Sequence, residues 1–168
     1  MAMSGLDLGP CEVSFGTEGA EADLGKTEGG VEIAFVTEVA DLASDQYGTS
    51  PEDQVIVGQG ATITVPLAEY TLENLAIALN QTLVGDGIDG ANLVGTKMST
   101  KAQSLLIKKY VDGVVSTDED DWMRFPSAAP QGSPTIRFSK SDQRIIEVVF
   151  TAFPDASDNL YYIGEEPS

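Results

Sequence analysis

The sequence predicts a mainly β fold: two packed antiparallel sheets, as a β-sandwich or barrel, with one flanking α-helix and a long projecting hairpin. Three observations carry this. Several segments alternate apolar and polar residues with period two, the pattern of half-buried strands. One segment alone, near residues 71–83, carries a leucine stripe at helical spacing. Two of the alternating strands are separated by about twenty residues with no apolar pattern adequate for a core, unusually long for a loop in a small domain.

The elements follow in order. Residues 1–9 are Gly-rich and aperiodic, and an N-terminal arm is expected over residues 1–15, with a short strand at Glu12-Val13-Ser14-Phe15. In residues 31–39, Val31, Ile33 and Phe35 share one face while Glu32 and Glu38 take the other. Ile63, Val65 and Leu67 repeat the pattern against Thr62 and Thr64, and Pro66, which lacks an N–H, marks an edge or a bulge. Extending both strands inward, over Ala43 to Tyr47 and Gln54 to Val57, leaves a hairpin whose tip spans residues 43–57. Such an arm has little core of its own and makes physical sense if a partner covers it.

The helix is expected to start at an N-cap Thr71, to bury Leu72, Leu75, Ala76, Leu79 and Leu83, and to stop at Gly85. Glu73 in its first turn complements the helix dipole. Residues 85–102 read as loop. Strands are expected at Ser104 to Lys108, Trp122 to Pro126, Arg144 to Phe153 and Leu160 to Ile163. A length of 168 residues suits one domain over 1–168.

Composition narrows function. Nine Lys and Arg stand against 27 Asp and Glu, with no His, for a net charge of −18. A domain that grips nucleic acid or an anionic membrane needs a basic footprint that this chain lacks. Without His there is no Ser-His-Asp or Cys-His machinery and no His-ligated zinc. The single Cys11 cannot form an internal disulfide. No run reaches the roughly 20 apolar residues of a membrane span, and Met1 to Asp7 lacks the basic start and apolar stretch of a secretory leader. No catalytic residue, metal site or cofactor is expected.

The charge is uneven. Residues 1–96 hold Lys26 alone against sixteen acids, whereas residues 97–168 hold eight bases against eleven acids. Head-to-tail association of copies would use such a split, and ordinary solubility charge would also produce it.

Individual motifs add little. Asp118-Glu119-Asp120-Asp121 splays its carboxylates and lacks calcium-loop spacing, so a solvated turn is expected. Gly85-Asp86-Gly87-Ile88-Asp89-Gly90 fits no calcium motif. Gly58-Gln59-Gly60 precedes a strand, where a phosphate loop needs a helix. Asn80-Gln81-Thr82 is a chance sequon. Lys108, Lys109 and Arg124 with their neighbouring aromatics make a poor electrostatic funnel in so acidic a chain. Cys11 lacks the positive surroundings that would make it reactive.

Several blocks resemble the tail tube (major tail) proteins of tailed bacteriophages. They are Asp23-Leu24-Gly25-Lys26-Thr27-Glu28-Gly29-Gly30-Val31-Glu32-Ile33, Asp45-Gln46-Tyr47-Gly48-Thr49-Ser50-Pro51 and Leu67-Ala68-Glu69-Tyr70-Thr71-Leu72-Glu73-Asn74-Leu75. Gln143-Arg144-Ile145-Ile146-Glu147-Val148 and Asn159-Leu160-Tyr161-Tyr162-Ile163-Gly164 continue the series. The 85–102 connector departs from it. The resemblance implies a virion structural protein, made in the host cytoplasm and residing in the tail. Its hexameric rings stack into a hollow tube around a tape-measure protein, bounded by terminator and tail-tip proteins, with or without a sheath. DNA passes through without specific binding. The resemblance assigns ring-to-ring contact to the hairpin, here Tyr47, Gly48, Thr49, Ser50 and Pro51, and subunit bridging to the arm. Candidate lumen positions are Glu32, Glu38, Thr62, Thr64, Glu147 and Thr151, whose acids would repel phosphate and let DNA slide. Alternatives are another tube-fold tail component, such as a distal or baseplate ring, an acidic β-sandwich binding module, or a carboxylate-pair hydrolase.

Overall fold

The structure, a computed structural model, describes residues 9–164. Its strands are β1 (Cys11–Gly16), β2 (Ala22–Asp23), β3 (Glu32–Leu42), β4 (Asp53–Leu67), β5 (Leu83–Val84), β6 (Gly87–Ile88), β7 (Gln103–Val111), β8 (Val114–Val115), β9 (Trp122–Pro130), β10 (Ile146–Ala152) and β11 (Tyr162–Ile163). Helix α1 spans Leu72–Ala78. The main sheet is antiparallel throughout and runs β2-β1-β7-β9-β10-β4-β3, with β11 added to β9 and β8 to β7, while β5 and β6 form a small hairpin apart.

The expected mainly β fold with one helix and a projecting hairpin is what the chain adopts. Its two layers are halves of one sheet that curls until it nearly closes. Phe15 on β1 lies with its ring 5.0 Å from that of Phe150 on β10, although β7 and β9 stand between the two strands in the ladder. The gap between β1 and β4 is spanned by the chain after β2. On one side the Leu24 N–H donates to the Val13 carbonyl at 2.9 Å, and on the other Thr27 bridges Leu67. Gly25 takes φ +88° in this closure, and a Cβ there would stand 2.5 Å from a Glu69 carboxylate oxygen. Glycine meets both demands at once.

Inside lie Val13, Phe15, Leu24, Ile63, Val65, Leu67, Leu105, Ile107, Phe125, Ile146, Val148 and Phe150. Period-two alternation supplies them: every second residue of β4 from Ala61 to Leu67 and of β10 from Ile146 to Ala152 is buried. The expected arm over residues 1–15 is cut short by the same physics. Residues 1–8 lie outside the described chain, but from Cys11 onward it is strand, paired with β7 over six residues, and Val13 is fully buried.

The helix begins where expected. The Thr71 hydroxyl accepts from the Asn74 N–H at 3.2 Å, and Thr71→Ala should cost about 1 kcal/mol in denaturant unfolding. It ends sooner. Asn80 adopts φ 59°, and the Gln81 N–H donates to the Ala76 carbonyl at 2.9 Å, a left-handed stop that asparagine tolerates well. Leu83 therefore sits in β5, and Leu72 is exposed. The buried face is formed by Asn74, Ala76 and Ala78, with Leu75 and Ile77 against the core. Buried Asn74 is satisfied: its side-chain amide donates to the Leu24 carbonyl at 2.9 Å and the Glu69 carbonyl at 3.0 Å, tying the closing segment to the helix.

The carboxylate run 118–121 forms a tight 3₁₀ turn over Glu119–Asp121. Asp121 accepts from the Ser116 hydroxyl at 2.7 Å and pairs with Lys109 at 2.9 Å, both of which hold its carboxyl below the usual range. Asp155 gathers the C-terminal turn in the same way, accepting the Asn159 and Ser157 N–H groups and the Tyr162 hydroxyl. The Asn159 N–H is the main cause of its lowered pKa. A depressed folded-state pKa contributes stability above the unfolded value of about 3.9, lost as pH falls through the folded one. Asp155→Asn should therefore melt earlier than the parent at pH 7, and the gap between the two melting curves should begin to close as the pH falls below about 4.

Candidate assembly surface

Strands β3 and β4 stay paired over eleven positions, Glu32↔Thr64 to Leu42↔Asp53, with one bulge between Glu38 and Val39. Only the root of this hairpin belongs to the body. There Phe35 lies against Tyr161, ring centres 4.9 Å apart, and Ala61 is buried. Beyond Val36 the ribbon runs on for about 20 Å at roughly 3.4 Å per residue, exposed on both faces.

Its residues are not those of a solvated arm. The register sets Val36, Ala40, Leu42 and Val55 on one face together with Glu38 and Asp53, and Val39 with Ile56 on the other beside the hydrogen-bonded pair Asp41 and Gln54. Val39 is 49% exposed, Leu42 50% and Ile56 59%. The bulge adds Val57 at 62% and increases the local twist. A two-stranded hairpin of this kind is marginal by itself, and contiguous exposed apolar surface marks an interaction site. At the tip Tyr47, Gly48, Thr49, Ser50 and Pro51 are all exposed, with Asp45–Tyr47 in a 3₁₀ turn and Gly48 at φ 65°.

The six candidate lumen residues fall together. Glu32 opposes Thr64; Thr62 opposes Thr151 on one side and Ala34 on the other; Glu147 opposes Pro66; and Glu38 opposes Gly58. Opposed residues share a face, so all six lie on the outer face of the β3-β4-β10 layer, with the apolar core behind it. Glu32, Glu38 and Glu147 are exposed there.

One element was not anticipated. Residues 131–145, between β9 and β10, form a strap along that outer face. With Glu28, Glu32, Thr64 and Glu147 below, its Thr135, Arg137 and Ser139 line a groove of about 650 Å³. Arg144 holds its base, with the guanidinium 4.8 Å from the Phe138 ring centre and 5.5 Å from that of Tyr70. The sequence signal was the alternation in Thr135-Ile136-Arg137-Phe138-Ser139, which reads as a strand but pairs with none.

Reactive chemistry is sparse in the described chain. Burial pushes the Cys11 thiol up, away from reactivity. Among the described residues no three acid or thiol side chains converge as metal ligands, and no helix is long and apolar enough to cross a membrane. The cations Lys108 and Lys109 are engaged locally, one over the Trp122 ring at 4.4 Å and the other with Asp121. No family model and no curated protein matches the chain.

Proposed function

We propose that this chain is a structural subunit that assembles with its own copies into stacked rings, forming a hollow tube of the phage-tail type. The observation that carries the reading is the ribbon beyond Val36: it exposes large aliphatic side chains on both faces, has no core, and is long enough to reach into a neighbour. The sequence blocks that resemble tail tube proteins favour the same reading, since they assign inter-ring contact to this hairpin. In that setting the outer face bearing Glu32, Glu38 and Glu147 turns toward the lumen. Carboxylates there repel the phosphates of passing DNA and let it slide. The subunit's chemistry is then that of surfaces, with no catalytic step, cofactor or metal. Its partners are further copies, a tape-measure protein inside and closing proteins at the ends.

The test is negative-stain electron microscopy of the purified, concentrated protein, followed over days with mass determination alongside. Rings or hollow tubes of uniform width are the expected result. A chain that stays monomeric, even with added tail-tip complexes, overturns the reading.

A further inference from the structure

The strap of residues 131–145 and the outer edge of β3 are complementary in three independent respects. The first is backbone. Strand β3 ends the sheet, paired on one side by β4 alone. Within the strap, from Gly132 to Ile145, no backbone–backbone hydrogen bond is made among the described residues. Each carries a row of donors and acceptors that a second strand would satisfy. The second is charge. Strand β3 has Glu32, Glu38 and Asp41 and no base, whereas the strap has Arg137, Lys140 and Arg144 against Asp142. Among the described residues Arg137 and Lys140 make no ion pair, and both are exposed.

The third is spacing. Glu38 and Asp41 stand three residues apart, as do Arg137 and Lys140. Laid antiparallel, the strap sets Lys140 opposite Glu38 and Arg137 opposite Asp41. The same register brings Phe138, 71% exposed, opposite Ala40, and Ile136 opposite Leu42, on one face of the ribbon. A parallel arrangement also matches the charges and sets Phe138 opposite Val39, but it places Ile136 opposite Thr37, beside Glu38, leaving Ile136 without an apolar partner.

We infer that the strap of one copy adds as an antiparallel strand to the β3 edge of a second copy, over residues 38–42. The contact is between copies because the strap lies in its own chain over Glu28, Glu32 and Glu147, at the opposite end of β3 from the ribbon. Strand addition draws its affinity from main-chain hydrogen bonds and its specificity from the side chains that alternate beside them. The contact is heterologous, so each copy gives a strap and accepts one, and rotation closes the series into a ring. As the strap leaves, Thr64 and Glu147 are uncovered on the face beneath. This inference rests on the reading of the chain as a self-assembling subunit and names the contact that links its copies.

The test uses a fluorescein-labelled peptide of residues 132–140, Gly-Ser-Pro-Thr-Ile-Arg-Phe-Ser-Lys, titrated with the full chain and read by fluorescence anisotropy. Saturable binding is expected, weakened at least about tenfold for the E38K/D41K chain, because like charges then face each other. The same loss is expected when the arginine and lysine of the peptide are changed to glutamate, an arm that leaves the chain itself intact. In sedimentation velocity, the E38K/D41K and R137E/K140E chains should each fail to associate, and an equimolar mixture should regain association, since each then offers what the other needs. Circular dichroism melts report whether each variant is folded. Binding indifferent to these reversals, or a mixture no better than its components, overturns the inference. If the parent chain builds tubes while the peptide does not bind, the tube reading stands and the strap contact falls. If the peptide binds with the stated charge dependence while the chain builds neither rings nor tubes, the contact stands and the tube reading falls.

Discussion

Replacing Val39 with Lys and Ile56 with Glu should abolish tube formation while leaving the subunit folded. The two residues are directly opposed on the ribbon, and an opposite-charge pair suits that position in an antiparallel ladder, so the hairpin itself is preserved. Neither side chain belongs to the core cluster. The change in unfolding free energy should therefore stay within about 0.5 kcal/mol, the range of surface substitutions. Assembly is affected quite differently. Each large aliphatic side chain buried at an interface contributes on the order of 1.5–3 kcal/mol, and each copy in a ring loses two of them. Electron microscopy should show single particles where the parent gives tubes, with unchanged melting curves. Tubes formed as before would mean that the ribbon remains in solvent after assembly, and would remove the main support for the proposed function.

The opposite separation is expected at Phe150. This side chain is fully buried, touches the Phe15 ring, and lies on β10 between β4 and β9. Truncation of such a residue to Ala costs about 3–5 kcal/mol, through lost transfer energy and the cavity left behind. Against a total stability of roughly 5–15 kcal/mol for a domain, that is a large fraction. Phe150→Ala should lower the urea midpoint sharply and shift much of the protein into the insoluble fraction on expression at 37 °C. A small shift would mean that the curled sheet can collapse around the gap, and that its two halves are less tightly coupled than the Phe15–Phe150 contact implies.

Much of the fold was legible because alternation is a local signal. The stretches Ile63-Val65-Leu67 and Ile146-Val148-Phe150 announce both the strand and the buried face, and the polar residues that alternate with them take the opposite one. What was not legible depends on contacts distant in sequence. Leucine spacing carried the expected helix on to Leu83, whereas the left-handed turn at Asn80 stopped it, since a propensity pattern carries no information about a single φ. Closure of the barrel by residues 24–28 rests on Thr27 meeting Leu67 and on Asn74 reaching Leu24, pairings with no periodic signature. The short strand expected at Glu12 to Phe15 is part of β1, whereas an arm reaching to residue 15 conflicts with the burial of Val13. Of the candidate surface, the hairpin tip was readable from its length alone. The strap was passed over because its alternating residues have no strand to pair with inside the chain.

The closing segment has a consequence for the protein in concentrated solution. By spanning β1 and β4 it leaves one long strand edge, that of β3, where an open sheet of this size would leave two. Fibrillar growth by edge-to-edge stacking needs a template at both ends of the repeating unit, and here one end is already sealed by Leu24 and Thr27. A supersaturated stock therefore has no downhill route into cross-β fibres that keeps the barrel intact.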